Sequence, residues 1–281
     1  MTSPHPPVQA VEAAVRRALE EDVLPMGDLT AALLDDDRRG RAALVSRADG
    51  VVAGRLCADE AFRQVDPALL VTWQVDDGDV LTPGSVLGWV EGTLASILTA
   101  ERTALNFLCH LSGVATLTAK YVAAAAGRAT VLDTRKTTPG LRALEKAAVR
   151  AGGGSNHRGS LSEFVLVKDN HLAGMSITDA VERARDAWPA RTVEVECDRL
   201  EQVNEAVGAG ADIVMLDNMD PVAVSECVKA VDGACYVEVS GGVNLETIAA
   251  MAQAGPDFIS VGALTHSAPV LDIGLDLGLG E

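Results

Sequence analysis

From Thr130 onward the sequence keeps returning to one pattern, a short apolar run closed by a polar residue and then a longer amphipathic stretch. The runs are TVLD, FVLVK, TVEVE, DIVMLD, CYVEVS and DFISVG, spaced about 20 to 35 residues apart. Between them lie segments such as SITDAVERARDA, RLEQVNEAVGAG and NLETIAAMAQAG, which carry helical spacing. Strands separated by helices pair in parallel, because each helical crossover brings the next strand back in the same direction. Units this regular predict a (β/α) barrel, complete or incomplete, with a doubly wound sheet as the second choice. Hydrophobic residues form 48% of the chain and aromatics only 3%. The core must therefore be built from Ala, Val, Leu and Ile, which suits parallel strands covered on both faces.

Upstream the texture differs. Val8 to Glu21 reads as an amphipathic helix, with Val8, Val11, Val15, Ala18 and Leu19 on one face. From Ala42 to Val90 the pieces AALVS, GVVAG, LLVTWQV and SVLGWV read as short strands between Gly, Asp and Pro turns. The segment VDDGDVLTPGSVLGWVEG is similar to half of a lipoyl or biotin-carrier sandwich, yet no lysine stands at its turn to carry a cofactor. A long helix follows from Thr93 to about Ala126, with Leu105, Leu108 and Leu111 on its apolar face and Gly113 as a candidate kink. Arg102, near its start, reads by itself as a solvated surface charge, and His110 as a packing residue.

The chemistry is written where the apolar runs stop. The polar residues there are Asp133-Thr134-Arg135-Lys136, Lys168-Asp169-Asn170, Glu196, Asp217-Asn218, Ser240-Gly241-Gly242 and Gly262. The C-terminal ends of barrel strands hold side chains rigidly while the following loops shape a pocket. VSGGVNLETI places a Ser-Gly-Gly turn before a helix, and SVGALTHS places a glycine after the next strand. Both predict an anion site built from backbone N–H groups and helix N-termini. Pro139 is placed to open the helix after the first run.

Charge supports that reading locally and opposes it globally. With 23 basic and 40 acidic residues the formal charge is −17, which argues against a general binder of nucleic acid or anionic membrane. Yet between Arg135 and Lys168 seven basic residues face two acidic ones, a local net of +5. Arg142, Lys146 and Arg150 read as a solvated helix face or an ion-pair row with Glu145. Arg135, Lys136, His157, Arg158 and Lys168 stand instead at strand ends or in the loop AGGGSNHRGS. Glu196 and Asp217 end the next two strands and suit either ion pairs or Mg²⁺ and sugar hydroxyls. The five cysteines show no CxxC pair or zinc spacing, and MTSPHPPVQA lacks the regions of a signal peptide. A soluble cytoplasmic protein with reduced thiols is expected.

The segments AERTALNFLCHLSGVAT, DTRKTTPGLRALEKAAVRAGGGSNHRGSL, VKDNHL, VEVEC, MLDNM and EVSGGV occur in that order with ordinary spacing. Through them almost the whole chain resembles the quinolinate phosphoribosyltransferases, also called carboxylating nicotinate-nucleotide pyrophosphorylases. The resemblance implies an N-terminal α/β sandwich domain with a bridging helix (residues 1–112) and a C-terminal open (β/α) barrel (113–266). A tail (267–281) is expected to return to the first domain. It also implies a homodimer and a requirement for Mg²⁺, while the charge balance and the lack of a long apolar run argue against a nucleic-acid or membrane partner. The implied reaction joins quinolinate to 5-phosphoribosyl 1-pyrophosphate, releasing pyrophosphate and CO₂ and leaving nicotinate mononucleotide.

Carried over onto this sequence, the resemblance puts Thr134, Arg135, His157, Arg158 and Lys168 on quinolinate, with Arg102 reaching in from the neighbouring subunit. It puts Lys136 on the pyrophosphate, and Glu196 and Asp217 on the ribose hydroxyls and Mg²⁺, either directly or through substrate and water. The turns Ser240-Gly241-Gly242 and Val261-Gly262-Ala263 fall to the 5-phosphate, and Lys136, Glu196 and Asp217 are the implied catalytic residues. Two other readings stay open: a phosphoribosyltransferase for nicotinate itself, and a non-catalytic binder of a phosphorylated ligand. The first would not need so many cations for one carboxylate, and the second would not need Lys136, Glu196 and Asp217.

Overall fold

The structure, a computed structural model, describes residues 5–35 and 37–278. Its elements in chain order begin with α1 (Val8–Val23), β1 (Arg39–Ser46), β2 (Gly50–Val51), α2 (Arg55–Val65), β3 (Leu70–Trp73), β4 (Val80–Leu81), β5 (Val86–Thr93) and α3 (Leu94–Ala125). They continue with β6 (Thr130–Leu132), α4 (Arg142–Ala151), β7 (Val165–Val167), α5 (Ile177–Ala187), β8 (Val193–Cys197), α6 (Leu200–Gly208) and β9 (Ile213–Asp217). The last are α7 (Pro221–Val231), β10 (Tyr236–Ser240), α8 (Ile248–Gln253), β11 (Phe258–Ser260), α9 (Ala263–His266) and β12 (Ile273–Gly278). The chain divides into two compact units: residues up to Ala119 with Thr137–Gly153 and the segment from Thr265, and Lys120–Lys136 with Gly154–Leu264.

The first unit is built on an antiparallel sheet in the order β12-β1-β5-β3. The C-terminal strand β12 lies along β1, with Ala42 opposite Leu277 on one side and Val90 on the other. In α1 the spacing of Val11, Val15 and Leu19 buries one face, whereas Val8 is 57% exposed. Helix α2 was not visible in the strand-like texture of this region. It buries Cys57, Ala58, Ala61 and Phe62, but its start is set from a distance. Asp77 accepts the N–H groups of Gly54 and Arg55, so the cap lies 22 residues along the chain and no local signal announces it.

Helix α3 runs without interruption for 32 residues, and Leu105, Leu108 and Leu111 are buried as predicted. Gly113 is not a kink. A Cβ there would lie 2.1 Å from the carbonyl oxygen of Pro269, so the glycine lets the returning C-terminal segment pass against the helix. Of the two readings of helix α4, the solvated face does not hold for Glu145 and Lys146. Glu145 is fully buried, Lys146 nearly so, and Glu145 bonds His110 Nε2 at 2.8 Å and accepts the N–H of Thr138 at 3.0 Å. Pro139 does not open that helix. Leu141 N–H returns to Thr138 O, with Pro139 and Gly140 (φ +82°) at the centre, so Pro and Gly form a tight turn and α4 begins afterwards.

The second unit carries the parallel sheet that the repeating runs predict, ordered β6-β11-β10-β9-β8-β7. The fold is thus an N-terminal α/β sandwich domain and a C-terminal open (β/α) barrel. Val195, Val214, Leu216, Val239 and Ile259 are all at 5% exposure or less. The helices carry ordinary start signals, such as the Ser176–Asp179 capping box on α5 and Asp220 before Pro221 on α7. All five cysteines are free thiols. Among the described residues no helix is long and apolar enough to cross a membrane. Gly113→Ala should lower stability by roughly 1–3 kcal/mol, since a backbone oxygen cannot give way. Gly208→Ala, with open space around its Cβ, should be neutral or slightly stabilising, and thermal melts of both variants check the contrast.

Candidate active site

Side chains alternate along a strand, so the residue that ends each parallel strand and the one two before it share a face. Here the strand ends converge on a cavity of about 590 Å³ lined by Thr134, Arg135, Lys136, His157, Arg158, Lys168, Glu196, Asp217 and Ser240-Gly241-Gly242. Asn218 completes its wall with Leu166, Met215 and Ser260, and these last three were not singled out from the sequence. Arg102 is exposed on α3, and neither it nor Val261, Gly262 and Ala263 line the cavity. Every other candidate site residue does.

The buried carboxylate of Asp133 holds the site's loop in place. Its Oδ1 accepts the N–H of His157 at 3.0 Å and its Oδ2 accepts Asn156 Nδ2 at 2.6 Å. The loop bearing His157 and Arg158 is thereby fastened to the segment after β6 that bears Arg135, aided by Ser155 N–H to Val131 O. Arg158 is only 7% exposed, lies over the Phe164 ring and donates to Phe164 O. Burial and the neighbouring charge of Arg135 lower its pKa, so positive charge is held at a cost that an incoming anion would relieve.

Lys168 is ion-paired with Glu196, two groups the family resemblance assigned to different substrates. His171 Nδ1 accepts the Lys168 N–H at 2.9 Å and so shapes the Lys168 turn. The glycine turn after β10 also differs from expectation. Helix α8 starts only at Ile248, after a turn in which Asn244 accepts the N–H groups of Glu246 and Thr247. No helix N-terminus directly follows Ser240-Gly241-Gly242. What the turn offers is the left-handed backbone of Gly241 (φ +86°) and Gly242 (φ +63°), which only glycine adopts without strain.

Below the cavity sit two acids that the strand-end reading missed. Glu194 and Glu238 are 0% and 1% exposed, each two residues before a site residue on the same face of its strand. That period of two in VEVE and VEVS was the available signal. His157 Nε2 lies 3.1 Å from Glu194 and 3.5 Å from Glu238, and the Ser260 hydroxyl donates to Glu238. Burial raises Glu194 to about 7, and burial together with the charge of Glu194 raises Glu238 to about 8. Ligand-type atoms of His157, Glu194 and Glu238 lie within 4.8 Å of one another, and the burial that raises both acids favours their protonated forms there.

The quinolinate phosphoribosyl transferase C-terminal domain matches residues 114–276, and the N-terminal domain of the same family matches 28–112. The chain is similar to the carboxylating nicotinate-nucleotide pyrophosphorylase of Mycobacterium leprae, 43% identical over 95% of this chain and 97% of that one. It is 40% identical to the chloroplastic protein of that name from Arabidopsis thaliana, over 98% and 84%. The solved structure of the nicotinate-nucleotide pyrophosphorylase from Francisella tularensis superimposes with a TM-score of 0.93, at 39% identity and 97% coverage of both chains.

The raised value of Glu238 sets a pH dependence of stability. Its folded value of about 8 stands above the unfolded value near 4.3. The folded state therefore binds more protons between these limits, and the contribution is whole below about pH 4 and lost as pH rises towards 8. Thermal melts of the native chain should show a loss across this window that is smaller in Glu238→Gln, which has no proton to lose.

Proposed function

The chain belongs to the quinolinate phosphoribosyltransferase family, and on that premise we propose that its barrel mouth divides the two substrates between Arg135 and Lys136. The protein is a decarboxylating phosphoribosyltransferase of NAD biosynthesis. It transfers phosphoribosyl from 5-phosphoribosyl 1-pyrophosphate to quinolinate, giving nicotinate mononucleotide, pyrophosphate and CO₂. The supporting observation is that one cavity in a chain of net charge −17 collects Arg135, Lys136, Arg158 and Lys168 with Glu196, Asp217 and a left-handed glycine turn.

Arg135 and Arg158 hold the dicarboxylate, with Thr134, His157 and Lys168 beside them, because a guanidinium fork meets a carboxylate through two parallel charge-assisted bonds. Lys136 meets the pyrophosphate. Glu196 and Asp217 take the ribose hydroxyls, and the turns Ser240-Gly241-Gly242 and Val261-Gly262-Ala263 take the 5-phosphate. As pyrophosphate leaves C1 of the ribose with oxocarbenium character, the pyridine nitrogen attacks. The chain's task is to position both reactants and offset the leaving charge, without a covalent nucleophile. The resulting pyridinium stabilises the electron pair left at C2 when its carboxylate departs as CO₂. Cations gripping that carboxylate would oppose the step, so they orient mainly the C3 carboxylate.

Mg²⁺ fits the donor set: Glu196 and Asp217 are hard oxygen donors at the ends of the neighbouring strands β8 and β9, to be completed by substrate phosphates. When bound it neutralises phosphate charge. We also propose a homodimer in which Arg102 of one copy serves the site of the other, which the exposure of Arg102 outside this cavity supports. A cytoplasmic protein without nucleic-acid partners is in keeping with the excess of acidic residues.

Incubation with each pyridine acid plus 5-phosphoribosyl 1-pyrophosphate and Mg²⁺ tests the substrate: CO₂ released from quinolinate is expected, and turnover of nicotinate alone would refute the reading. Arg135→Ala should raise the KM for quinolinate by about tenfold or more, in line with losing a charge-paired contact worth ~2 kcal/mol. Lys136→Ala should instead lower kcat and weaken 5-phosphoribosyl 1-pyrophosphate. Equal losses for both substrates in both variants would rule out the division.

A further inference from the structure

Asn218 follows the last residue of β9 and has no role in the division of labour above. Its backbone is left-handed, with φ +56°. Among residues with a side chain Asn tolerates this region best, but it still gives up the ordinary strand conformation there. The backbone N–H donates to Ser240 O at 3.0 Å, extending the β9–β10 ladder one step beyond the Asp217–Ser240 pair. The side chain turns back on its own neighbour: Nδ2 donates to Asp217 Oδ2 at 2.7 Å. A carboxylate only accepts, so the amide must present its nitrogen to Asp217.

The oxygen end of that amide then lies on the Gly241 side. A Cβ added to Gly241 would fall 2.3 Å from Asn218 Oδ1, 2.6 Å from its Cγ and 2.9 Å from its backbone nitrogen. Gly241 is therefore fixed twice, by its own φ of +86° and by the volume Asn218 fills. Asn218 lines the cavity together with Asp217, Ser240 and Gly241. One side chain thus sets the direction of the carboxylate on β9 and packs against the glycine turn on β10.

We propose that Asn218 is a positioning residue that locks Asp217 and the Ser240-Gly241 turn into one preformed surface for 5-phosphoribosyl 1-pyrophosphate. The proposal rests on the assignment of Asp217 to the ribose side and of the glycine turn to the 5-phosphate. A ligand that spans both parts gains when their relative geometry is fixed before it arrives, since no ordering cost is left to pay on binding. A loosened Asp217 would cost affinity for this substrate and leave quinolinate, held by Arg135 and Arg158, little affected. Residues that orient a ligating carboxylate typically change affinity by about 10–100-fold when removed.

The test compares Asn218→Gly, which keeps the left-handed backbone and deletes the amide, with Asn218→Asp, which keeps the shape but sets a second acid against Asp217. Calorimetric titration of the whole protein with 5-phosphoribosyl 1-pyrophosphate and Mg²⁺, and separately with quinolinate, is read beside steady-state kinetics and thermal melts. In Asn218→Gly the dissociation constant and KM for 5-phosphoribosyl 1-pyrophosphate should rise by about tenfold. Quinolinate affinity should stay within about twofold and the melting temperature near native. Asn218→Asp should be weaker still, since like charge replaces the hydrogen bond. Gly241→Ala supplies an independent check: its defect should be smaller in the Asn218→Gly background, where the side-chain part of the clash is removed while the backbone contact and the left-handed φ remain. Native-like binding of 5-phosphoribosyl 1-pyrophosphate by Asn218→Gly would overturn the proposal. So would a parallel loss of both substrates with a lowered melting temperature. If the native protein itself fails to bind 5-phosphoribosyl 1-pyrophosphate, the underlying site assignment falls, a result separable from failure of the variants alone.

Discussion

The buried carboxylate of Asp133 is the interaction on which the rest of the site depends. It directly follows β6, is wholly removed from solvent, and accepts hydrogen bonds from Asn156 and the His157 backbone. A buried carboxylate without such donors would cost several kcal/mol, so the loop must come to it. Because the loop comes, Arg158 arrives beside Arg135, and His157 arrives between Glu194 and Glu238. An acid at the end of a strand reads from sequence as part of the chemistry. In the fold it works as the anchor that lets two arginines stand together.

The electrostatics of the cavity follow from placement and not from composition. A chain carrying −17 would repel anionic substrates at long range, and salt screening confines that effect to roughly 10 Å. Within that distance the cations at the strand ends govern. Beneath them two acids carry raised values because water is excluded, which lessens the negative charge of the floor. The same exclusion of water burdens Arg158. Cost on both sides of the site is what a preorganised anion pocket entails.

Several elements show where local reading fails. Helix α2 is capped from Asp77, far along the chain. Gly113 resembled a kink but accommodates Pro269, and Pro139 resembled a helix start but occupies a turn closed by Thr138 and Leu141. Glu145 was expected at most as the ion-pair partner of the basic row Arg142, Lys146 and Arg150, and packing buries it against His110 and Thr138. In each case the partner lies elsewhere in the fold or the turn geometry has no unique sequence mark. Glu194 and Glu238, by contrast, are legible through their period of two, each standing two residues before a strand-end residue of the site.

The sequence alone determined the alternation of strand and helix, the strand ends as the place of chemistry, and most residues that line the cavity. Those features follow from periods of two and 3.6 residues and from glycine, which act locally on any chain that carries them. The tertiary structure decided which polar groups became partners: Lys168 with Glu196, Asn218 with Asp217 and Gly241, His157 with two buried acids. Hydrogen bonds and desolvation depend on distances between residues that are remote in sequence. Only once the sheet has aligned its strands are those distances set.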